Sequence, residues 1–194
     1  MKSEEHLIPT ASQTVGPFFH LGCTDHRSVG CLTDANTAGE HITLVCRLLD
    51  GDDTPVNDAI IEIWQADSAG HYDGEQSAQE SGTDPRFRGF GRLATDENGT
   101  CAFKTIKPGA TPGINGAMQA PHINVSVFAR GILNRLCTRV YFAGESANET
   151  DHVLSFVPKG RRNTLLAVRD VADPSRWQIT IHLCGEYETV FFDV

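Results

Sequence analysis

No stretch of this sequence reaches the roughly 18 consecutive apolar residues that a membrane-spanning helix requires. Basic residues are scarce: 16 Lys and Arg stand against 25 Asp and Glu, a net charge of -9. That balance excludes the phosphate-neutralising surface on which non-specific nucleic-acid binding depends. The six cysteines include no Cys-x-x-Cys pair, which removes the zinc-ribbon and thioredoxin-like readings. The opening Met-Lys-Ser-Glu-Glu-His has no apolar signal core, so the expectation is a cytoplasmic protein with reduced thiols. Internal repeats and low-complexity tracts are absent. Helical periodicity is nearly so, with only Asp151–Phe156 and Arg161–Leu166 offering short candidates.

What the 194 residues do carry is alternation. Ile42–Leu49, Ala59–Gln65, Phe90–Ala94, Cys101–Ile106, Leu136–Phe142 and Arg176–Leu183 read as strands of β-branched, aromatic and aliphatic residues. Asp50-Gly51-Asp-Asp-Thr-Pro55 and Asp96-Glu-Asn-Gly99 are turn signals between them. The first joins either a hairpin or two strands crossing between sheets, and the second reads as a tight turn with Cys101–Ile106 as the return strand. Many short strands at regular spacing predict an antiparallel β-sandwich with long loops and only short helices. The organisation expected is an arm at 1–40, pinned by Phe18 and Phe19, and a sandwich at 41–194. The polar run Asp73–Arg88 is long enough to be functional or disordered.

His122-Ile-Asn124-Val-Ser126-Val concentrates the chemistry. Side chains two apart on a strand project from one face, so His122 and Asn124 look at a common point. Two imidazoles so placed would hold a transition metal, but an amide oxygen is a weak donor. From these residues alone, His122 reads as a hydrogen-bonded pocket histidine. Thr14 reads as a turn hydroxyl and Arg130 as a turn arginine beside Gly131.

Ile60-Ile-Glu-Ile-Trp64-Gln65-Ala66-Asp67-Ser-Ala-Gly70-His-Tyr72 resembles the signature of the intradiol ring-cleaving dioxygenases. Thr105-Ile-Lys107-Pro-Gly109, Ala120-Pro-His122-Ile and Arg139-Val-Tyr-Phe follow in that family's order. The resemblance spans about Thr10 to Val194. It implies a β-sandwich enzyme using O2 and non-haem Fe(III) to cleave a small aromatic substrate. It implies as well a two-chain member of the family, a hetero-oligomer in which a β chain holds the iron through two tyrosinates and two histidines. On that motif Tyr72 takes the first tyrosine position, Thr111 the second, His122 the first histidine and Asn124 the second. Gln119 stands where the iron-binding chain carries a pocket arginine. Half the ligand set is missing, so the implied chain binds no iron and its own site is vestigial. The resemblance further implies that the arm and loop at 1–40 pack on the partner chain, and that Thr14 and Arg130 are lent to the partner's substrate pocket, with Phe18 in a position where tyrosine is usual. The aromatic ends Phe18-Phe19 and Val190-Phe-Phe192 read either as docking elements or as local core. Two alternatives stand beside this: a self-sufficient dioxygenase recruiting Tyr141 or His71 as ligands, and a non-catalytic sandwich that binds or scaffolds.

Overall fold

Alternating apolar residues become strand wherever their inner face meets a second apolar face. The computed structural model describes residues 10–16, 18–25, 29–72, 86–113 and 116–193. A short helix α1 (Phe19–Thr24) precedes β1 (His41–Leu49), β2 (Ile60–Gln65), β3 (Phe90–Ala94) and β4 (Thr100–Ile106). Then come β5 (Thr111–Pro112), β6 (Met118–Gln119), β7 (His122–Phe128) and β8 (Leu136–Phe142). The helix α2 (His152–Ser155), β9 (Leu166–Arg169) and β10 (Arg176–His182) complete the order, with 3-10 turns at Ser146–Glu149 and Lys159–Leu165.

The strands follow the order β3-β2-β7-β8-β9-β10-β1-β4, with β5 and β6 as a separate pair. Short β9 joins two halves that fold face to face. Ile61, Ile63, Ile123, Val125 and Val127 of one half pack on Leu44, Cys46, Leu48, Phe103, Ile179 and Ile181 of the other. Each such side chain withdrawn from water contributes about 1.5–3 kcal/mol. The sandwich is therefore as expected, but its strands are not all antiparallel: β1 runs parallel to β10, and β8 to β9.

Of the two turn readings, the hairpin expected at Asp96–Gly99 is overturned, and of the two alternatives at Asp50–Pro55 the crossing between sheets holds. The Asp96–Gly99 turn does form, with Gly99 donating to the Asp96 carbonyl at 2.9 Å, yet β3 and β4 lie at opposite ends of the strand order. The second of these strands pairs with β1 instead, placing Cys46 opposite Cys101. The Asp50–Pro55 turn carries the chain from one half to the other, as the crossing alternative had it, since β2 pairs with β3 and β7. A turn motif reports a reversal of direction, not the hydrogen-bonding partner.

The described residues of the arm make contacts with this chain. Phe19 stacks on Phe128 with ring centroids 5.9 Å apart, and Val29 and Cys31 bridge to Arg92 and Lys104. Phe18 and Leu21 face outward, 78% and 54% exposed. Helix α1 lies where the sequence reads as arm and loop. Its first turn carries no acidic residue and Phe18 makes no side-chain cap, so the usual start signals are absent. At the other end Val190 and Phe192 pack on the cluster of Tyr141, Leu154, Val157 and Leu165, while Phe191 joins the main core. That tail is local core. Of the run 73–88, residues 73–85 lie outside those described, and Phe87 is buried.

Candidate functional site

The Trp64–Tyr72 motif is a device for delivering Tyr72. Gln65, fully buried at the end of β2, accepts the Thr105 hydroxyl hydrogen at 2.7 Å and donates to the Ile106 carbonyl at 2.9 Å. It thereby ties one half of the sandwich to the other. Asp67 Oδ1 then accepts the amide hydrogens of Ala69 and His71, both at 2.9 Å, closing a tight loop. Gly70 sits at φ +89°, where a Cβ would lie 2.0 Å from the Ala110 carbonyl oxygen. Only glycine fits there. Gly109 donates to the Asp67 carbonyl at 2.8 Å, locking the Lys107-Pro-Gly109 loop to the same turn.

Tyr72 so placed meets the outer face of β7. His122 is buried, and its Nδ1 lies 2.8 Å from the Ala120 carbonyl, which can only accept. The proton is therefore on Nδ1, and Nε2 is an acceptor. Tyr72 Oη lies 3.3 Å from Nε2 and donates to it, while Asn124 Nδ2 donates to Tyr72 Oη at 3.2 Å. Phenol, imidazole and amide thus form one directed chain of hydrogen bonds. Burial, then the Arg139 guanidinium, push the His122 pKa down to about 4. At neutral pH the ring is uncharged and its accepting nitrogen is committed to Tyr72.

The other predicted positions surround this chain. Thr111 is buried opposite Gln119 in the β5–β6 ladder, and among the described residues its hydroxyl is a buried polar atom without a partner. Gln119 accepts from Arg139 Nη1 at 2.7 Å and donates to the Pro112 carbonyl at 3.2 Å. Sequence reasoning quoted Arg139 only as a landmark, although its register opposite Asn124 puts it beside the site. It also missed Asp151, a buried carboxylate that accepts from the Ala120 and Leu154 amides at 2.8 and 2.7 Å and from Tyr141 Oη at 3.1 Å. The signal was present as a helix-start aspartate.

Tyr141, one alternative ligand, is thus committed to Asp151, and burial raises its pKa strongly. His71, the other, is half exposed with Nδ1 3.8 Å from Asp67.

A ferric centre of this kind needs hard anionic oxygen donors together with imidazole. Here the four positions offer one phenol, one imidazole, a hydroxyl and an amide, and three of these satisfy one another. The residues do not fit the ion.

Above the chain lies a groove of about 860 Å³ whose lining includes Trp64, Phe90, Asn124, Arg135 and Arg139. Thr14 and Arg130 lie elsewhere. Arg130 follows the far end of β7, eight residues from His122, or roughly 26 Å at strand rise. The structure brings these two predicted residues to one place. Thr14 Oγ1 accepts the Gly131 amide hydrogen at 2.7 Å, and the Arg130 guanidinium pairs with Asp58 while remaining 56% exposed.

A family model described as Dioxygenase matches residues 14–179. The protocatechuate 3,4-dioxygenase alpha chain of Burkholderia cepacia is 42% identical over 202 residues, covering 97% of this chain and 98% of that one. The beta chain of the same enzyme from Burkholderia cepacia is 35% identical over 150 residues, covering 76% of this chain and 64% of that one. Among solved structures, the dioxygenase domain of a dioxygenase carbohydrate-binding protein fusion from Streptomyces sp. SirexAA-E superposes with a TM-score of 0.64 at 28% identity. The match covers 92% of this chain and 99% of that one.

Proposed function

The chain belongs to the intradiol ring-cleavage dioxygenase family, and from that membership we propose that it is the non-iron subunit of a protocatechuate 3,4-dioxygenase. The assembled enzyme cleaves 3,4-dihydroxybenzoate with O2 to 3-carboxy-cis,cis-muconate, a step of aromatic catabolism on the β-ketoadipate route. A β-type partner chain holds the Fe(III), and this chain closes the substrate pocket and the hetero-oligomer. The observation that carries the reading is the hydrogen-bonded closure of Asn124, Tyr72 and His122 at the ligand positions. A relative with an alpha-chain name along nearly its whole length supports it further.

The chain's own contribution sits at the Thr14–Arg130 end. Arg130 presents an exposed guanidinium on a turn that Thr14 buttresses through the Gly131 amide. A carboxylate on a buried aromatic substrate needs such a charge-assisted donor, because desolvating it unpaired is costly. Release of Arg130 from Asp58 to the substrate carboxylate would be compensated on binding. Phe18 and Leu21, outward on the arm, are the apolar anchors for the partner. Tyr72, Thr111, Gln119, His122 and Asn124 are the remnant of a site whose ligands have been exchanged for a hydrogen-bonded network.

The test is iron content and ring-cleavage activity of the chain expressed alone, then together with a β-type chain carrying the full ligand set. Iron and activity only in the joint preparation support the reading. Stoichiometric ferric iron in the chain alone overturns it.

A further inference from the structure

We propose that Asp58 sets how tightly the substrate pocket holds an anionic catechol, by competing with the substrate's carboxylate for Arg130. The inference rests on the reading that Arg130 is lent to that pocket. It gives a role to a residue that acts through Arg130 without touching the substrate.

Register makes the pair. The β2–β7 ladder runs from Gln65 opposite Ile123 to Ile60 opposite Phe128, and carried two residues further it sets Asp58 opposite Arg130. Directly opposed side chains project from one face, with Cβ atoms about 4.5–5.5 Å apart, so the two meet without a long reach. The contact runs from Arg130 Nε to Asp58 Oδ2, and among the described residues no second carboxylate pairs with Arg130. The backbone on both sides is held. Beside Asp58, the Ala59 amide donates to Thr95 Oγ1 at 3.1 Å. Beside Arg130, Gly131 turns the chain away at φ +85°, and its amide donates to Thr14 Oγ1 at 2.7 Å.

The two partners differ in freedom. The Asp58 side chain is short and 16% exposed, whereas that of Arg130 is long and 56% exposed. Asp58 is therefore the fixed member, and Arg130 the one that can swing to a ligand. A carboxylate fixed one strand away stands at high local concentration, so small anions free in solution lose to it. A catechol already anchored through its ring brings its own carboxylate on equal terms and can take the guanidinium. One carboxylate is then exchanged for another, and the affinity for substrate reflects the difference between two ion pairs rather than the worth of one. An uncharged catechol has nothing to offer in that exchange and leaves Arg130 on Asp58.

In the assembled enzyme, Asp58→Asn keeps the shape and removes the charge. The Michaelis constant for 3,4-dihydroxybenzoate is expected to fall about two- to fivefold with kcat little changed, the range of a part-exposed ion pair. Affinity for uncharged 3,4-dihydroxybenzamide, read as a competitive inhibition constant, should stay as in the parent. Asp58→Ser should follow Asp58→Asn, and Asp58→Glu should return the Michaelis constant toward the parent value. A merely structural role would raise that constant instead and lower Tm. With Arg130→Ala raising the Michaelis constant, an unchanged or higher value in both uncharged Asp58 variants, or an equal gain in affinity for the amide, would overturn the inference alone. A parent-like Michaelis constant in Arg130→Ala would overturn the placement of Arg130 in the pocket, and the inference with it.

Discussion

Thr14 Oγ1 accepts the Gly131 amide hydrogen at 2.7 Å, joining the N-terminal arm to the β7–β8 turn across 117 residues of chain. The contact fixes the backbone that presents Arg130. Replacing Thr14 by Val keeps the shape and deletes the acceptor, a loss of about 1 kcal/mol for an ordinary hydrogen bond. In the assembled enzyme the Michaelis constant for 3,4-dihydroxybenzoate is expected to rise roughly fivefold with kcat little changed. Thr14→Ser should behave as the parent. Equal kinetics in the Val and Ser variants would detach Thr14 from substrate binding.

Arg130→Ala separates a structural role from a binding one. The pair with Asp58 is largely exposed on the arginine side, so its loss should cost no more than about 1 kcal/mol of stability. Differential scanning calorimetry should show Tm lowered by no more than about 3 °C. The Michaelis constant of the assembled enzyme should rise at least about tenfold, the value of a charge-assisted hydrogen bond to a carboxylate. A large Tm change with unaltered kinetics would mean that Arg130 only holds the turn.

His122 gives the fold a pH dependence of definite sign. Its pKa is lowered to about 4 in the folded chain, against an ordinary value near 6.5. Above about pH 6.5 the ring is neutral in both states, and the native arrangement has its full stability. As the pH falls from about 6.5 to 4 the unfolded chain takes up a proton that the folded chain refuses, so stability declines through that window. The decline attributable to this residue is on the order of 3 kcal/mol. Urea titrations at pH 7, 5.5 and 4.5 measure it, and His122→Gln should flatten the slope. An identical slope in the variant would assign the acid sensitivity to another group.

The proposed loss of two ligands is tested by putting them back. Thr111→Tyr with Asn124→His replaces the lone hydroxyl and the amide by phenolate and imidazole. The double variant is expected to purify with iron and to show the visible phenolate-to-iron absorption of a ferric centre. Tyr at a buried position crowds its neighbours, at a stability cost of about 1–3 kcal/mol. Asn124→His alone should remain colourless. A colourless double variant that is folded by circular dichroism would show that more than the ligand set has been lost.

Gly70→Ala tests the turn beneath Tyr72. The new Cβ would be 2.0 Å from a backbone oxygen at a positive φ, so the loop must move. A loss of about 3 kcal/mol or more is expected in chemical denaturation. Parent-like stability would mean that the Asp67 turn is more pliant than its hydrogen bonds imply.

The faces of the strands were legible in the sequence, and their partners were not. Ile123, Val125 and Val127 announce which side of β7 is buried, because alternation is local and burial enforces it. That same alternation set His122 and Asn124 on one side, and Tyr72 does join them. Nothing local reveals that Leu44 lies opposite Trp177 in a parallel pair. Such a choice is made by packing two apolar faces, which couples residues far apart in the chain. Arg139 escaped notice for a related reason: its place in the site depends on the register of β8 against β7. Helix α1 had no capping side chain to declare it.

The Asp67 turn has a consequence for how chains of this kind are sorted. Gln65 joins the two halves, Asp67 and Gly70 shape the loop, and Tyr72 is only their cargo. The string of letters that marks the family is thus a carpentry mark, stamped on the joint and indifferent to whether the room is in use. A chain bearing it has been shown to have the frame. On the proposed reading, whether the hearth is lit is written at two other places, 111 and 124, which lie outside that string.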